Sequence, residues 1–314
     1  MSLTVAVIGA SGVVGDVFLR VAEERKLPID DLRLLATARS AGMKLEFNGK
    51  QITVQETTLA GIEGADIVFC SATSEASLHW GPQVIAAGGV MIDDGSAYRM
   101  EPNVPVVVPE VNGEDVDWHE GIISIPNCTT TPLAMALHAL RQVAPLKRVT
   151  ASTYQAVTGT GKAAAEELDA QLRAYALGEP IPAPQVYPHQ IAMNVIPHVD
   201  VFGEDGYTAE ENKMRNETRK ILHEPELPFA ATCVRVPVMV GHGASVHVEF
   251  QDAVSVEAAR EALTAQEGVE LLDDPSAGGY PTPLSSAGSD STFVGRVRLD
   301  PTVEHGLVFW CVAD

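Results

Sequence analysis

The chain has 314 residues, 46% hydrophobic and 20% charged, enough for two globular domains with separate cores and unlike a disordered chain. A formal charge of −21 excludes the basic footprint of a nucleic-acid or anionic-membrane binder, and it makes each Arg or Lys in an apolar or Gly-rich setting informative. The four cysteines, Cys70, Cys128, Cys233 and Cys311, lack CxxC spacing, so neither a disulfide framework nor a metal site is expected, and a reducing, cytoplasmic setting fits.

No basic, apolar leader precedes the first strand, expected at Leu3–Ile8. Gly9-Ala-Ser-Gly12-Val-Val-Gly15 follows at once and opens an amphipathic helix to about Lys26. Strands are expected at Arg33–Ala36, Asp66–Ser71, Val90–Asp93, Val106–Val108 and Ile122–Ile125. A hairpin is expected over Leu45–Val54 around Asn48-Gly49, and a helix over Glu75–Ala87. This alternation predicts a Rossmann-type, doubly wound α/β domain with a parallel sheet. No charge occurs from Gly121 to Leu140, but Pro126 and Pro132 interrupt the run, which reads as buried strand, turn and helix rather than a membrane span.

The texture changes near Cys128. Helices are expected at Thr131–Gln142, Lys162–Tyr175, Thr208–Leu222 and Val256–Ala265, with a Pro-rich loop at Gly178–Pro188. Strands are expected at Val149–Val157, Ala230–Val238, Ser245–Phe250, Val269–Leu272, Phe293–Leu299 and Leu307–Val312. Few crossover helices separate them, so this part reads as an α+β domain with a mixed or antiparallel sheet. The division is 1–127 and 128–314.

The three glycines after the first strand fit a dinucleotide loop, in which backbone N–H groups approach pyrophosphate at a helix start. The second strand ends in Ala36-Thr37-Ala38-Arg39-Ser40, without the acid that holds a ribose 2′-hydroxyl. Arg39 and Ser40 suit a 2′-phosphate instead, so NADP is expected over NAD. Cys128 stands in Ile125-Pro-Asn-Cys-Thr-Thr-Thr-Pro132, where a strand meets a helix whose N-terminus favours a thiolate. The threonines are candidate caps. The other cysteines sit in apolar strands, the ordinary place for a buried thiol. Of nine histidines, His242 lies in a glycine turn, Val240-Gly-His-Gly243, and is the preferred base, while His189 and His198 read as structural.

The runs Gly9–Gly15, Ser96-Ala-Tyr-Arg-Met100, Pro126-Asn-Cys128, Ser152-Thr-Tyr-Gln155, Pro188-His-Gln-Ile191, Asn194-Val-Ile-Pro197, Asn216-Glu-Thr-Arg-Lys220, Arg235-Val-Pro-Val238 and Gly241-His242 occur in order along the chain. Together they resemble the bacterial aspartate-semialdehyde dehydrogenase family. That resemblance implies Cys128 as the nucleophile that becomes an acyl-thioester, His242 as proton acceptor and Gln155 as the residue that orients substrate. It implies Arg99, Asn127 and Lys213 for phosphate, Arg235 for the substrate α-carboxylate and Glu210 near its amino group. Cofactor contacts fall on Gly9, Ser11, Gly12, Val13, Val14, Gly15, Arg39, Ser40, Thr158 and Gly159. The implied reaction is NADP-dependent reductive dephosphorylation of L-aspartyl 4-phosphate to L-aspartate 4-semialdehyde, in lysine, threonine and methionine biosynthesis. A homodimer or homotetramer is implied, together with a further C-terminal helix beyond Asp314.

Rival readings fit less well. N-acetyl-γ-glutamyl-phosphate reductases carry Gly-Cys-Tyr-Pro where this chain has Asn127-Cys128-Thr129-Thr130, and a glyceraldehyde-phosphate type enzyme would place Asn where Thr131 stands. A catalytically inactive nucleotide-binding regulator would have no use for Cys128, Gln155 and His242 together. Gly159-Thr-Gly-Lys162 is not a phosphate loop, because Ala156 and Ala163 replace its required Gly and Ser/Thr.

Overall fold

The computed structural model describes residues 3–314. The chain divides into two compact units. One runs to Val107 and takes in Gly113–Pro126, and the other comprises Val108–Asn112 and Asn127–Asp314.

The first unit contains β1 (Thr4–Ile8), α1 (Val13–Glu24), β2 (Asp31–Ala36), the hairpin β3 (Lys44–Phe47) and β4 (Lys50–Thr53), and β5 (Gln55–Glu56). It continues with α2 (Leu59–Ile62), β6 (Ile67–Cys70), α3 (Ser74–Ala86), β7 (Val90–Asp93) and β8 (Ile122–Ser124). Six strands form a wholly parallel sheet in the order β5-β2-β1-β6-β7-β8. Val5 and Val7 of β1 join one apolar cluster, and Ala6 and Ile8 join another. Both faces are therefore covered, as expected of strands that read as unbroken apolar runs.

Val106–Val108 is not a strand. Only an isolated parallel bridge joins Val106 to Ser124, because Pro105 and Pro109 bound the run and cannot donate to a ladder.

The second unit contains α4 (Pro109–Asn112), α5 (Thr130–Arg141), β9 (Leu146–Gln155), α6 (Lys162–Leu177), α7 (Ala209–Ile221) and β10 (Phe229–Arg235). Next come β11 (His242–Phe250), α8 (Val256–Ala265), β12 (Val269–Leu271), α9 (Pro283–Ser286), β13 (Thr292–Leu299) and β14 (Gly306–Ala313). The sheet order is β10-β9-β11-β14-β13-β12, parallel at its two outer pairs and antiparallel between. Nine of the 12 residues of α5 are buried, which accounts for the uncharged run as a core helix. Among the described residues no helix is long and apolar enough to cross a membrane.

Strand β9 starts earlier than its β-branched stretch, because Lys147 and Arg148 pair with Glu249 on β11 at 2.7 and 3.3 Å. It also ends earlier, at Gln155, where the next backbone N–H turns to a side chain and a 3₁₀ turn takes over at Val157–Thr160.

Candidate active site

In the first unit, β1 leads into the glycine loop. Gly9 has φ +87°, and a Cβ there would come within 2.0 Å of the Ser71 carbonyl oxygen, so only glycine fits this turn. Gly12 is the N-cap of α1 and provides no side-chain cap. Val13 and Val14 are exposed in its first turn. Gly9, Ser11 and Gly12 line one cleft of about 760 Å³ with Arg39 and Ser40. A tight loop, an uncapped helix start and a cation in one cleft fit a dinucleotide phosphate. Arg39 is exposed and has no hydrogen bond or ion pair among the described residues.

One residue of this cleft was invisible in the sequence. Glu56 pairs in register with Ala36, so an acid does stand beside the end of the second strand. It comes from a two-residue strand 20 positions later, beyond the reach of any local pattern.

Arg99 also belongs to the first unit. It is 6% exposed, and its Nη2 donates to the Asp94 carbonyl at 2.8 Å.

In the second unit, Cys128 is exposed directly before Thr129, the N-cap of α5. The cap differs from the sequence expectation, for the threonine side chains do not cap the helix. No side chain caps it; Asn127 Oδ1 instead accepts from the Thr129 N–H at 3.0 Å and the Thr129 hydroxyl at 2.6 Å, just ahead of the helix. The Asn127 carbonyl accepts from Thr130 and Thr131 N–H, closing the turn that holds the thiol. Burial pushes the Cys70, Cys233 and Cys311 thiols up to about 12, so these three are poor nucleophiles.

Helix α7 brings a polar face to this turn. Its start is fixed by a capping box between Thr208 and Glu211, and Glu211 also accepts the Cys233 N–H at 2.9 Å, tying the helix to β10. Glu210, Lys213 and Glu217 then follow at helical spacing. Glu217 accepts the Asn127 N–H at 2.7 Å. Glu210 Oε1 accepts from Asn127 Nδ2 at 3.0 Å and from Gln155 Nε2 at 2.9 Å. Lys213 Nζ lies 3.5 Å from Glu210 Oε2 and 2.6 Å from Asp200 Oδ2. Asn127, Gln155, Glu210 and Lys213, widely separated in sequence, thus form one network beside Cys128.

Sheet register assembles the rest. Arg235 on β10 and His242 on β11 are both paired with Gln155 at the end of β9. His242 is therefore the first residue of a strand, not part of a loop as its flanking glycines suggested. Arg235 is 5% exposed, its Nη1 donates to the Ala156 carbonyl at 2.6 Å, and its buried Nε has no hydrogen-bond partner. A buried guanidinium with an unspent N–H suits an anion.

His242 Nδ1 accepts the Ala156 N–H at 3.0 Å, so the neutral ring carries its proton on Nε2. Burial, followed by the nearby Arg235 charge, holds this imidazole down at about 4. A Cβ on Gly159 would sit 3.1 Å from His242 Nε2 and 3.2 Å from Arg235 Nη1, so glycine keeps the space in front of both. Thr158 instead spends its hydroxyl on the Met239 carbonyl at 2.7 Å.

Comparison with known proteins gives the family. The semialdehyde dehydrogenase NAD binding domain matches residues 4–119, and the semialdehyde dehydrogenase dimerisation domain matches residues 137–314. The aspartate-semialdehyde dehydrogenase of Aquifex aeolicus is 48% identical over 100% of this chain and 93% of its own length. That of Bacillus subtilis is 44% identical over 99% of this chain and 92% of its own length. The crystal structure of aspartate semialdehyde dehydrogenase II complexed with ASA from Vibrio cholerae superposes with a TM-score of 0.95 at 38% identity, covering 100% of this chain and 93% of that one. The chain belongs to the aspartate-semialdehyde dehydrogenase family.

Proposed function

We propose that this chain reduces L-aspartyl 4-phosphate to L-aspartate 4-semialdehyde through an acyl-thioester on Cys128, with NADP as its cofactor. The observation that carries the reading is the joining of Asn127, Gln155, Glu210 and Lys213 beside the exposed thiol, with Arg235 and His242 in register with Gln155. The Vibrio relative's ASA complex supports the same substrate.

The Cys128 thiolate attacks the acyl carbonyl, the C–O bond to phosphate breaks, and phosphate leaves. A nicotinamide held by this chain would supply the hydride that reduces the thioester carbonyl. The resulting thiohemiacetal oxygen faces N–H donors, among them His242 Nε2, and collapse releases aldehyde and the thiolate. The resemblance gives His242 the hydroxyl proton in the oxidative direction, but with Nδ1 spent on the Ala156 N–H and the hydrogen on Nε2 the ring serves here as a donor to the thiohemiacetal oxygen. Arg235 holds the α-carboxylate, Glu210 the amino group, and Arg99, Asn127 and Lys213 bear the phosphate charge. Gly9, Ser11, Gly12, Val13, Val14 and Gly15 hold the pyrophosphate, Arg39 and Ser40 the 2′-phosphate, and Thr158 and Gly159 the nicotinamide end. Residues 1–127 act as the nucleotide domain and 128–314 as the catalytic and dimerisation domain of a homodimer or homotetramer. A thiol nucleophile of this kind fits a reducing cytoplasm.

The test is nicotinamide absorbance with aspartate semialdehyde, phosphate and either NADP or NAD. Phosphate-dependent reduction of NADP is expected. No change with either cofactor would overturn the reading.

A further inference from the structure

Gln155 is a primary amide, and an amide can face either way in a site. Its neighbours remove that choice. The Val234 N–H donates to Thr153 Oγ1 at 3.3 Å, so that oxygen acts as an acceptor and has its single proton left to give. Thr153 Oγ1 lies 3.0 Å from Gln155 Oε1 and donates to it. On the other side, Gln155 Nε2 meets Glu210 Oε1, and an ionised carboxylate has only lone pairs. Both neighbours specify the same orientation. Asn127 is fixed in the same sense, with Oδ1 taken by Thr129 and Nδ2 given to the same Glu210 oxygen.

Each amide nitrogen carries a second N–H. The two nitrogens donate to the same oxygen of Glu210, and Asn127 adjoins Cys128 in the chain. The reacting end of an acyl phosphate offers only oxygen lone pairs, so N–H donors are useful there and an amide carbonyl would repel. We propose that Thr153 is a positioning residue for the reaction. Its hydroxyl locks Gln155 with N–H toward the substrate, making Gln155 and Asn127 a matched donor pair.

Thr153 is fully buried in the interior of β9, where its hydroxyl also meets the Cys233 side chain, and it reaches the site through Gln155. Without its hydroxyl, Gln155 Oε1 loses its donor and the flipped amide is no longer excluded from that side. Fixed donors aimed at developing charge contribute most when they need not reorganise. The inference rests on the proposed reading of the site, which fails separately if wild-type enzyme shows no turnover.

The test compares Thr153→Ser, Thr153→Val and Thr153→Ala in the full chain. Steady-state kinetics use aspartate semialdehyde, phosphate and NADP, with NADP binding followed by fluorescence and Cys128 alkylation by iodoacetamide. Activity should follow the hydroxyl rather than the volume. Serine should keep kcat near wild type, while valine and alanine should each lower it on the order of tenfold, with NADP affinity and alkylation rate unchanged. If valine fails to fold, the serine–alanine pair still decides, since the two differ only by the hydroxyl. Equal kcat for serine and alanine, or wild-type kcat in Thr153→Val, would overturn the assignment.

Discussion

The Ala156 backbone N–H donates to His242 Nδ1, and this one bond decides what the imidazole can do. Nδ1 is occupied as an acceptor, so the ring presents Nε2–H to the space kept open by Gly159. Protonation would set an Nδ1–H against the Ala156 N–H, and burial and Arg235 oppose the added charge as well. The first prediction is that nitrogen NMR finds His242 neutral, with its proton on Nε2, from pH 8 down to well below the ordinary histidine range. An imidazolium at pH 6 would contradict the geometry.

The same shift has a stability consequence. With the folded value at about 4 and the unfolded near 6.5, the unfolded chain binds the extra proton between them. His242 therefore stabilises the fold fully above pH 6.5, and this is lost as pH falls toward 4. Allowing for its partial exposure, the contribution is on the order of 2 kcal/mol. Thermal unfolding of His242→Gln should lose less between pH 7 and pH 4.5 than wild type does. Parallel losses would show that other groups set the acid limb. His242→Ala should slow turnover by about 10²–10⁴-fold.

Arg235 should not tolerate lysine. Its guanidinium is buried, one arm is used on Ala156, and the remaining N–H groups suit a bidentate grip on carboxylate. Arg235→Lys should raise KM for aspartate semialdehyde roughly ten- to a hundredfold, the weight of a charged hydrogen bond, with NADP binding unchanged. An unaltered KM would assign the carboxylate elsewhere.

Arg39 and Glu56 line one cleft, and the proposed NADP preference rests on them. Arg39→Ala should weaken NADP by roughly ten- to a hundredfold and leave NAD little changed. Glu56→Gln should strengthen NADP by removing a like charge beside the 2′-phosphate. Titration of each variant with both nucleotides decides. Equal losses for NADP and NAD in Arg39→Ala would give Arg39 a structural role only.

Much of this was legible in the sequence for physical reasons. Unbroken apolar strands such as Val5–Ile8, followed by a glycine loop, specify a parallel sheet buried on both faces. A proline-broken uncharged run around Cys128 specifies a strand, a turn and a core helix. What the sequence conceals is register. Nothing local places Arg235 and His242 opposite Gln155, or Glu56 beside Ala36, because those pairings are set by strands far apart in the chain. The start of α5 was concealed as well, since Thr129 is a good capping type but its hydroxyl is given to Asn127 Oδ1 and no side chain caps the helix.

The central claim is covalent: Cys128 carries the acyl group. Enzyme mixed rapidly with aspartate semialdehyde and NADP, without phosphate, should gain one acyl adduct by mass spectrometry. Peptide mapping should place it on Cys128, and Cys128→Ser should fold, bind NADP and show neither adduct nor turnover. An adduct on Cys70, Cys233 or Cys311, or full activity in Cys128→Ser, would contradict the mechanism.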